Sequence, residues 1–312
     1  MRSNNFIVFD GSANPELAAA IAGELGVVLG SAIVTRFPDS EVSVTLTTTV
    51  RRKEIFIVQP TSPPVNEHLM ELVAFTDACR RAAAGRITAI VPYFGYSRSD
   101  KRAGRREPIM ARAAADMLQG VGVDHVVTVD LHTPQIEGFF SIPVDSLTAV
   151  PVLSEALCRH LPSGAAVVAP DAGRVPLATQ YALRLGAPVV VLHKQRESAT
   201  KTGVTHVVGD VRGRPCLIVD DIISTGGTLA TAVEALLAAG ALPEFAVAAT
   251  HGLLVDCARE NLSRAGIREV YVSNTVSMAG KGWPELQVVS VAPLLAATVQ
   301  RFMADGSLNE LF

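Results

Sequence analysis

Cysteine is scarce in this chain and scattered. Cys79, Cys158, Cys216 and Cys257 are the 4 cysteines among 312 residues, and no two form a CxxC pair. That spacing argues against a disulfide framework or a zinc site and reads as lone buried thiols in a reducing compartment. Long hydrophobic runs are missing as well. No stretch reaches the about 18 apolar residues that a membrane span needs, and the richest, Phe245–Val255, is broken by His251. The amino-terminal MRSNNFIVFDGSANPE has no apolar core of the kind a secretory signal carries. Neither sign of charge dominates: 27 Lys and Arg stand against 30 Asp and Glu, for a net −3. Dedicated nucleic-acid-binding domains are strongly basic, so this balance argues against one. The expectation is a soluble, cytoplasmic chain with no membrane or nucleic-acid partner. Any anionic ligand must be held by local positive charge.

What is present is core material. Hydrophobic residues make up 49% of the chain, and the length suits two domains of ordinary size. Short apolar runs predict strands at Phe6–Phe9, Ile55–Gln59, Ile87–Val91, His125–Val129, Ala166–Ala169, Val189–Leu192, Cys216–Val219, Phe245–Ala249 and Val270–Val272. Alanine-rich patterns between them predict helices at Pro15–Leu25, Asn66–Ala84, Ile109–Gly120, Val150–His160, Val175–Leu185, Thr228–Ala239 and Val255–Ala265. Val42–Thr48 alternates apolar and polar residues, as a half-exposed hairpin strand does. The alternation of strand and helix points to an α/β fold with a mainly parallel sheet. Ser-Ile-Pro-Val-Asp at 141–145 leads into a fresh helix at about Pro151, which marks a domain boundary.

The stretch VDDIISTGGTL, 219–229, carries the clearest chemistry. An apolar strand ends at Val219, and helical periodicity begins at Thr228, with Leu229, Val233, Leu236 and Leu237 on one face. Gly240 and Pro243 are placed to end that helix. The loop between therefore sits at the carboxyl end of a strand, where open α/β sheets bind ligands. Gly226 and Gly227 let backbone N–H groups approach an anion, Thr225 and Thr228 add hydroxyl donors, and the helix start favours phosphate. Asp220 and Asp221 would repel that phosphate, so they suit sugar hydroxyls nearby, or a metal ion. A phosphate site beside acceptors for a vicinal diol describes a ribose phosphate. A plain helix cap would need the threonine and a glycine but not two acids.

VDDIISTGGTL resembles the phosphoribosyl pyrophosphate motif of the type I phosphoribosyltransferase fold. ANPELA at 13–18, RFPDSE at 36–41, VPYFGYSRSDKR at 91–102, TVDLHTPQIEGFFSIPVD at 128–145, PDAG at 170–173 and HVVGDV at 206–211 are similar, in order, to the ribose-phosphate pyrophosphokinase (phosphoribosyl pyrophosphate synthetase) family. The resemblance covers nearly the whole chain. It implies two tandem phosphoribosyltransferase-type domains, 1–148 on the nucleotide side and 149–300 on the ribose 5-phosphate side. A segment 301–312 would pack back on the first. It also implies transfer of the β,γ-diphosphoryl group of ATP to ribose 5-phosphate, with Mg2+, in a dimer or hexamer whose site is shared between subunits. A phosphoribosyltransferase, or a non-catalytic paralogue that regulates an active partner, are the alternatives.

Carried over residue by residue, the resemblance places Phe37 against adenine and Asp39 and Glu41 at its amino edge or in ordering the loop. Without it, Phe37 reads as a hairpin or core residue. Arg98, Ser99, Asp100 and His132 fall in the ATP-binding set, with Arg98 on the phosphates and Asp100 orienting nearby groups, and His132 and Asp171 match the metal-associated positions. Lys194 and Arg196 match the catalytic basic pair, on a polar segment, 193–206, read as a mobile loop. Asp220, Asp221, Ser224, Thr225, Gly226, Gly227 and Thr228 form the ribose 5-phosphate set. Four places depart from the family pattern: Ser40 where Gly is common, Ser99 where Gln is common, Arg174 where a second Gly is common, and the unusual segment Lys101–Glu107.

Overall fold

The computed structural model describes residues 5–196 and 202–311, with side chains described throughout except at 194–196 and 202–205. The chain divides into two compact units. One comprises Met1–Thr148, Thr275–Ser277 and Val291–Phe312, and the other Ala149–Asn274 and Met278–Ser290.

The first unit runs β1 (Phe6–Asp10), α1 (Pro15–Leu25), β2 (Ala32–Arg36), β3 (Val42–Leu46), β4 (Glu54–Val58), α2 (Val65–Arg81), β5 (Arg86–Val91), α3 (Met110–Val121), β6 (His125–Val129) and β7 (Val144–Leu147). Strands β1, β4, β5, β6 and β7 lie side by side in that order, all parallel, while β2 and β3 form a separate antiparallel hairpin. Ile55, Phe56, Ile57 and Val58 are all withdrawn from water. A central parallel strand is covered on both faces, so it carries a continuous apolar run rather than an alternation. Asn14 explains the ANPELA segment physically: its side chain accepts from the Leu17 N–H at 3.3 Å, with Pro15 as the first helical residue of α1.

The second unit runs α4 (Val150–Cys158), β8 (Ala166–Ala169), α5 (Val175–Leu185), β9 (Val189–Arg196), β10 (Thr202–Val208), β11 (Cys216–Ile223), α6 (Gly227–Ala238), β12 (Phe245–Gly252), α7 (Ala258–Arg264), β13 (Ile267–Ser273) and β14 (Leu286–Val289). Its sheet order is β10-β9-β8-β11-β12-β13-β14, parallel throughout except for β10, which runs antiparallel to β9 at the edge. The fold is thus α/β with mainly parallel sheets flanked by helices. The last helix, α8 (Ala292–Met303), belongs to the first unit and packs on α1. The Phe302 ring lies 4.7 Å from the His125 ring and 6.4 Å from Phe56.

The structure departs from the sequence expectation in two respects. The polar stretch read as a mobile loop contains the end of β9 and the start of β10, paired from Arg196 with Thr202 to Val191 with Val208. An edge ribbon can be polar because one side of its ladder faces water. The cysteines also split. Cys79 and Cys216 are buried, and burial pushes their thiols up to about 12 and about 11, while Cys158 and Cys257 are exposed at the end of α4 and ahead of α7. No helix among the described residues is long and apolar enough to cross a membrane.

Candidate active site

The acid pair sits within a strand rather than after it. Strand β11 continues past Val219 to Ile223, so Asp220 and Asp221 are held in a ladder in which Asp220 lies opposite Ala249 of β12. Asp221 is buried and Asp220 half-buried, and the Asp221 N–H donates to Asp220 Oδ1 at 2.9 Å. Burial first, and then the negative charge of Asp221, push the Asp220 carboxyl well above the usual carboxylate range, against the pull of Arg174. The turn that follows is built for close approach. Gly226 is the N-cap of α6 at φ 77, and its carbonyl accepts from the Leu229 and Ala230 N–H groups, both at 3.1 Å. Asn261 of α7 donates to the Thr225 carbonyl at 2.8 Å and holds the outer side of the turn. Thr225, Gly227 and Thr228 are exposed, and Ser224 is half-buried. The first N–H groups of a helix have no carbonyl one turn back, and such a start can receive an anion. Gly240, at φ 92, lies just beyond α6, and its N–H donates to the Leu237 carbonyl at 3.0 Å.

Asp171 follows β8 and caps a short turn, accepting from the Gly173 N–H at 2.8 Å and the Arg174 N–H at 3.2 Å. The side chain of Arg174 then reaches the acid pair. Its Nε lies 3.1 Å from Asp220 Oδ1 and its Nη2 lies 3.2 Å from Asp221 Oδ1. The sequence marks Arg174 as a departure from the family pattern but gives no sign of the ion pair, because residues 46 or more positions apart carry no local signal of contact.

In the first unit, Phe37, Asp39 and Glu41 form the tip of the β2–β3 hairpin. Phe37 is 52% exposed. The Phe37 N–H donates to the Glu41 carbonyl at 2.9 Å, the Ser40 N–H to the Phe37 carbonyl at 2.8 Å, and the Glu41 N–H to Asp39 Oδ1 at 3.2 Å. Asp39 thus orders the turn. A cleft of about 870 Å³ between this hairpin and α2 has Glu41 and Arg36 in its wall, whereas Phe37 and Asp39 stand outside it. The hairpin is pinned just behind its tip by Arg36, which pairs with Glu67 at 3.0 Å and with the fully buried Glu71 at 3.2 Å. Glu71 also accepts from the Ser12 N–H at 2.6 Å. Arg36, Glu67, Glu71 and Ser12 were not singled out from sequence.

Arg98 is exposed, Ser99 half-buried and Asp100 buried. Asp100 Oδ2 accepts from Thr133 Oγ1 at 2.8 Å, which brings the SRSD loop to the loop carrying His132. The Ser99 hydroxyl accepts from the Met110 N–H at 3.2 Å and its carbonyl from the Ala111 N–H at 3.2 Å, so Ser99 holds the start of α3. Just before His132, Asp130 adopts φ 42, a left-handed conformation that costs an ordinary residue energy and recurs at functional loops. His132 belongs to the first unit and Asp171 to the second. Lys194 and Arg196 lie on β9 opposite Val204 and Thr202 of β10, and their side chains fall outside the described residues.

Comparison with known proteins supplies the context for this geometry. Residues 6–122 match the N-terminal domain of ribose phosphate pyrophosphokinase, and residues 196–312 match the phosphoribosyl synthetase-associated domain. A ribose-phosphate pyrophosphokinase of Corynebacterium efficiens is 44% identical, over 99% of this chain and 96% of the relative. One of Clostridium perfringens is 41% identical over 99% of this chain and 98% of the relative. The crystal structure of phosphoribosylpyrophosphate synthetase from Mycobacterium smegmatis superposes with a TM-score of 0.91 at 42% identity, covering 97% of this chain and all of that one. Likeness of this degree over the full length, in sequence and in backbone alike, leaves no segment of the fold unaccounted for: the chain belongs to the ribose-phosphate pyrophosphokinase family.

Proposed function

We propose that the chain transfers the β,γ-diphosphoryl group of ATP to the 1-hydroxyl of ribose 5-phosphate, giving phosphoribosyl pyrophosphate and AMP. One observation carries this reading: Asp220 and Asp221 stand next to the Thr225-Gly226-Gly227-Thr228 turn at the start of α6, in which Thr225, Gly227 and Thr228 are exposed. Family membership over the full length supports it. The turn, with Ser224, takes the 5-phosphate, and the acids accept from the ring hydroxyls. The attacking 1-hydroxyl oxygen forms a bond to the β-phosphorus. The bond from that phosphorus to the oxygen bridging the α-phosphate breaks, AMP leaves with that oxygen, and the hydroxyl proton is released.

On the nucleotide side, Phe37 stacks on adenine and Asp39 and Glu41 read its amino edge. Arg98 holds the phosphates, Ser99 and His132 complete the ATP-binding set, and Asp100 orients the groups around them. Lys194 and Arg196 supply fixed positive charge where negative charge gathers on the non-bridging oxygens, and positioning does most of the rest. Magnesium, when bound with the nucleotide, lowers the charge on its phosphates. His132 and Asp171 are the residues that would hold it. Among the described residues no three His, Cys, Asp or Glu side chains cluster into a cage. That suits magnesium, which keeps several waters and takes few protein ligands.

The same reading makes the working form a cytoplasmic homo-oligomer, a dimer or hexamer in which a neighbouring copy completes the site. The exposed Phe37 at the hairpin tip supports that part. Sedimentation at assay concentrations tests it, and a strictly monomeric active enzyme would refute it. The activity is tested by incubating the pure protein with ribose 5-phosphate, magnesium and ATP and following AMP. Diphosphate release that depends on an added nucleobase, with no AMP formed, would replace this reading with a phosphoribosyltransferase.

A further inference from the structure

The two carboxylates assigned to the pentose are already occupied by an internal cation. Arg174 reaches both at once, Nε to Asp220 Oδ1 at 3.1 Å and Nη2 to Asp221 Oδ1 at 3.2 Å. The three side chains are largely withdrawn from water, at 16%, 16% and 6% exposure for Arg174, Asp220 and Asp221. Little solvent screens the contact. A guanidinium is a planar fork, always charged, and matched to two acceptors at once. A ribose hydroxyl donating to a carboxylate also makes a charge-assisted bond, but it brings one donor where the guanidinium brings two and a full charge. A sugar hydroxyl that binds where Arg174 sits has to displace it from Asp220 Oδ1 or Asp221 Oδ1.

The position of Arg174 makes that exchange feasible. Its backbone is the N-cap of α5, fixed through its N–H to Asp171, so only the side chain has to move. Its stem is long and flexible, whereas the acids are held in the β11 ladder. The ligand that displaces the guanidinium also brings anionic charge to the same end of β11, where the released cation can meet it.

We propose that Arg174 is a latch on the pentose site, held across Asp220 and Asp221 and displaced by ribose 5-phosphate. The proposal rests on the reading that these acids bind the pentose. Arg174 is here a positioning residue that sets the substrate concentration at which the site fills. The apparent dissociation constant is the intrinsic one divided by the fraction of molecules with the latch open. A latch open in about a tenth of the molecules weakens binding about tenfold.

The test is calorimetric titration of ribose 5-phosphate, without nucleotide, into the full-length wild type and Arg174→Lys. Lysine keeps the positive charge that attracts the phosphate but is a single point, unable to span both acids. The expected result is about threefold to tenfold tighter binding in R174K, with ATP affinity unchanged. Weaker or unchanged binding in R174K, while the wild type binds, overturns the latch and leaves the assigned function standing. No binding to the wild type at all overturns the pentose assignment and the latch together. A second measurement does not depend on the variant. In a crystal of the wild type with ribose 5-phosphate, the Arg174 guanidinium should lie beyond hydrogen-bond reach of at least one of Asp220 and Asp221. Both contacts intact with the sugar bound would refute the exchange.

Discussion

Gly226 and Gly227 are neighbours, yet the structure predicts that an added methyl group would fail for opposite reasons at the two positions. At Gly227, the first residue of α6, the nearest atom to an added Cβ is Thr225 Oγ1 at 3.9 Å, an ordinary contact, and the backbone is not left-handed. Gly227→Ala should leave stability unchanged or raise it by about 0.4–1 kcal/mol, because alanine restricts the unfolded chain. In a domain of this size that is a rise of at most about 4 °C in Tm. The same methyl group stands where an anion would approach the backbone. Losing one hydrogen bond to a charged group costs about 1.5–3 kcal/mol, which corresponds to an increase of about 10- to 100-fold in KM for ribose 5-phosphate. At Gly226, φ is 77 and an added Cβ would lie 3.1 Å from Leu262 Cγ. Gly226→Ala should therefore destabilise the fold, by about 1–2 kcal/mol for the left-handed backbone alone, and weaken binding as a consequence. The assays are thermal melts and initial rates at saturating ATP. Gly227→Ala with an unchanged KM for ribose 5-phosphate would refute the assignment of this turn to the phosphate.

Three further outcomes are expected. Ser40 sits at φ 72 in the αL position of the hairpin turn, so Ser40→Gly should stabilise the protein by about 1 kcal/mol, measured as a higher midpoint in denaturant; a lower midpoint would contradict the strain. Asp220→Asn should raise Tm at neutral pH while removing ribose 5-phosphate binding. Burial and Asp221 raise the folded-state pKa of Asp220 well above its ordinary 3.8, so wild-type stability falls as pH rises from about 4 through that raised value, and the advantage of the asparagine variant should appear over the same window in melts from about pH 4 to 8; an advantage that is constant or shrinks with pH contradicts this sign. Lys194→Ala should lower kcat by about 10²–10³, the scale for removing one donor to transition-state charge, and unchanged turnover would take Lys194 out of the mechanism.

Much of this architecture is legible in the sequence because parallel sheets bury both faces of their strands. The runs at 216–219 and 245–249 could hardly be anything else, and Pro15–Leu25 and Val175–Leu185 carry proline starts that mark their helices to the residue. The hairpin strand β2, AIVTR, escaped because its five residues are all exposed or only half-buried, which leaves no clean alternation. Strand β14, LQVV, is too short and too exposed to declare itself. The ladder between β9 and β10 was hidden for a different reason: its residues are polar, and only pairing makes them strands. Within the candidate site, the local turn at 224–228 was readable from residue type. The contacts that brace it were not: Asn261 to Thr225, Arg174 to the acids, and Thr133 to Asp100 join residues 33 or more apart in sequence.

The places where this chain departs from its family's pattern become physical once the backbone is known. At position 40 the turn demands φ 72, a conformation glycine adopts without strain, so Ser40 keeps the hairpin while adding strain to the segment that carries Phe37. At position 99 the serine is used by the fold itself, capping the start of α3 through its hydroxyl and carbonyl, which ties the Arg98–Asp100 loop to a helix. At position 174 a residue with no side chain would leave Asp220 and Asp221 to repel each other across a dry site. Arginine instead supplies the compensating charge from within the chain. The residues at 40 and 99 act on how a binding segment is held, and Arg174 acts on the acid pair itself. The expected signature of restoring the common residue is therefore a change in affinity and stability, with the chemistry of diphosphoryl transfer left in place.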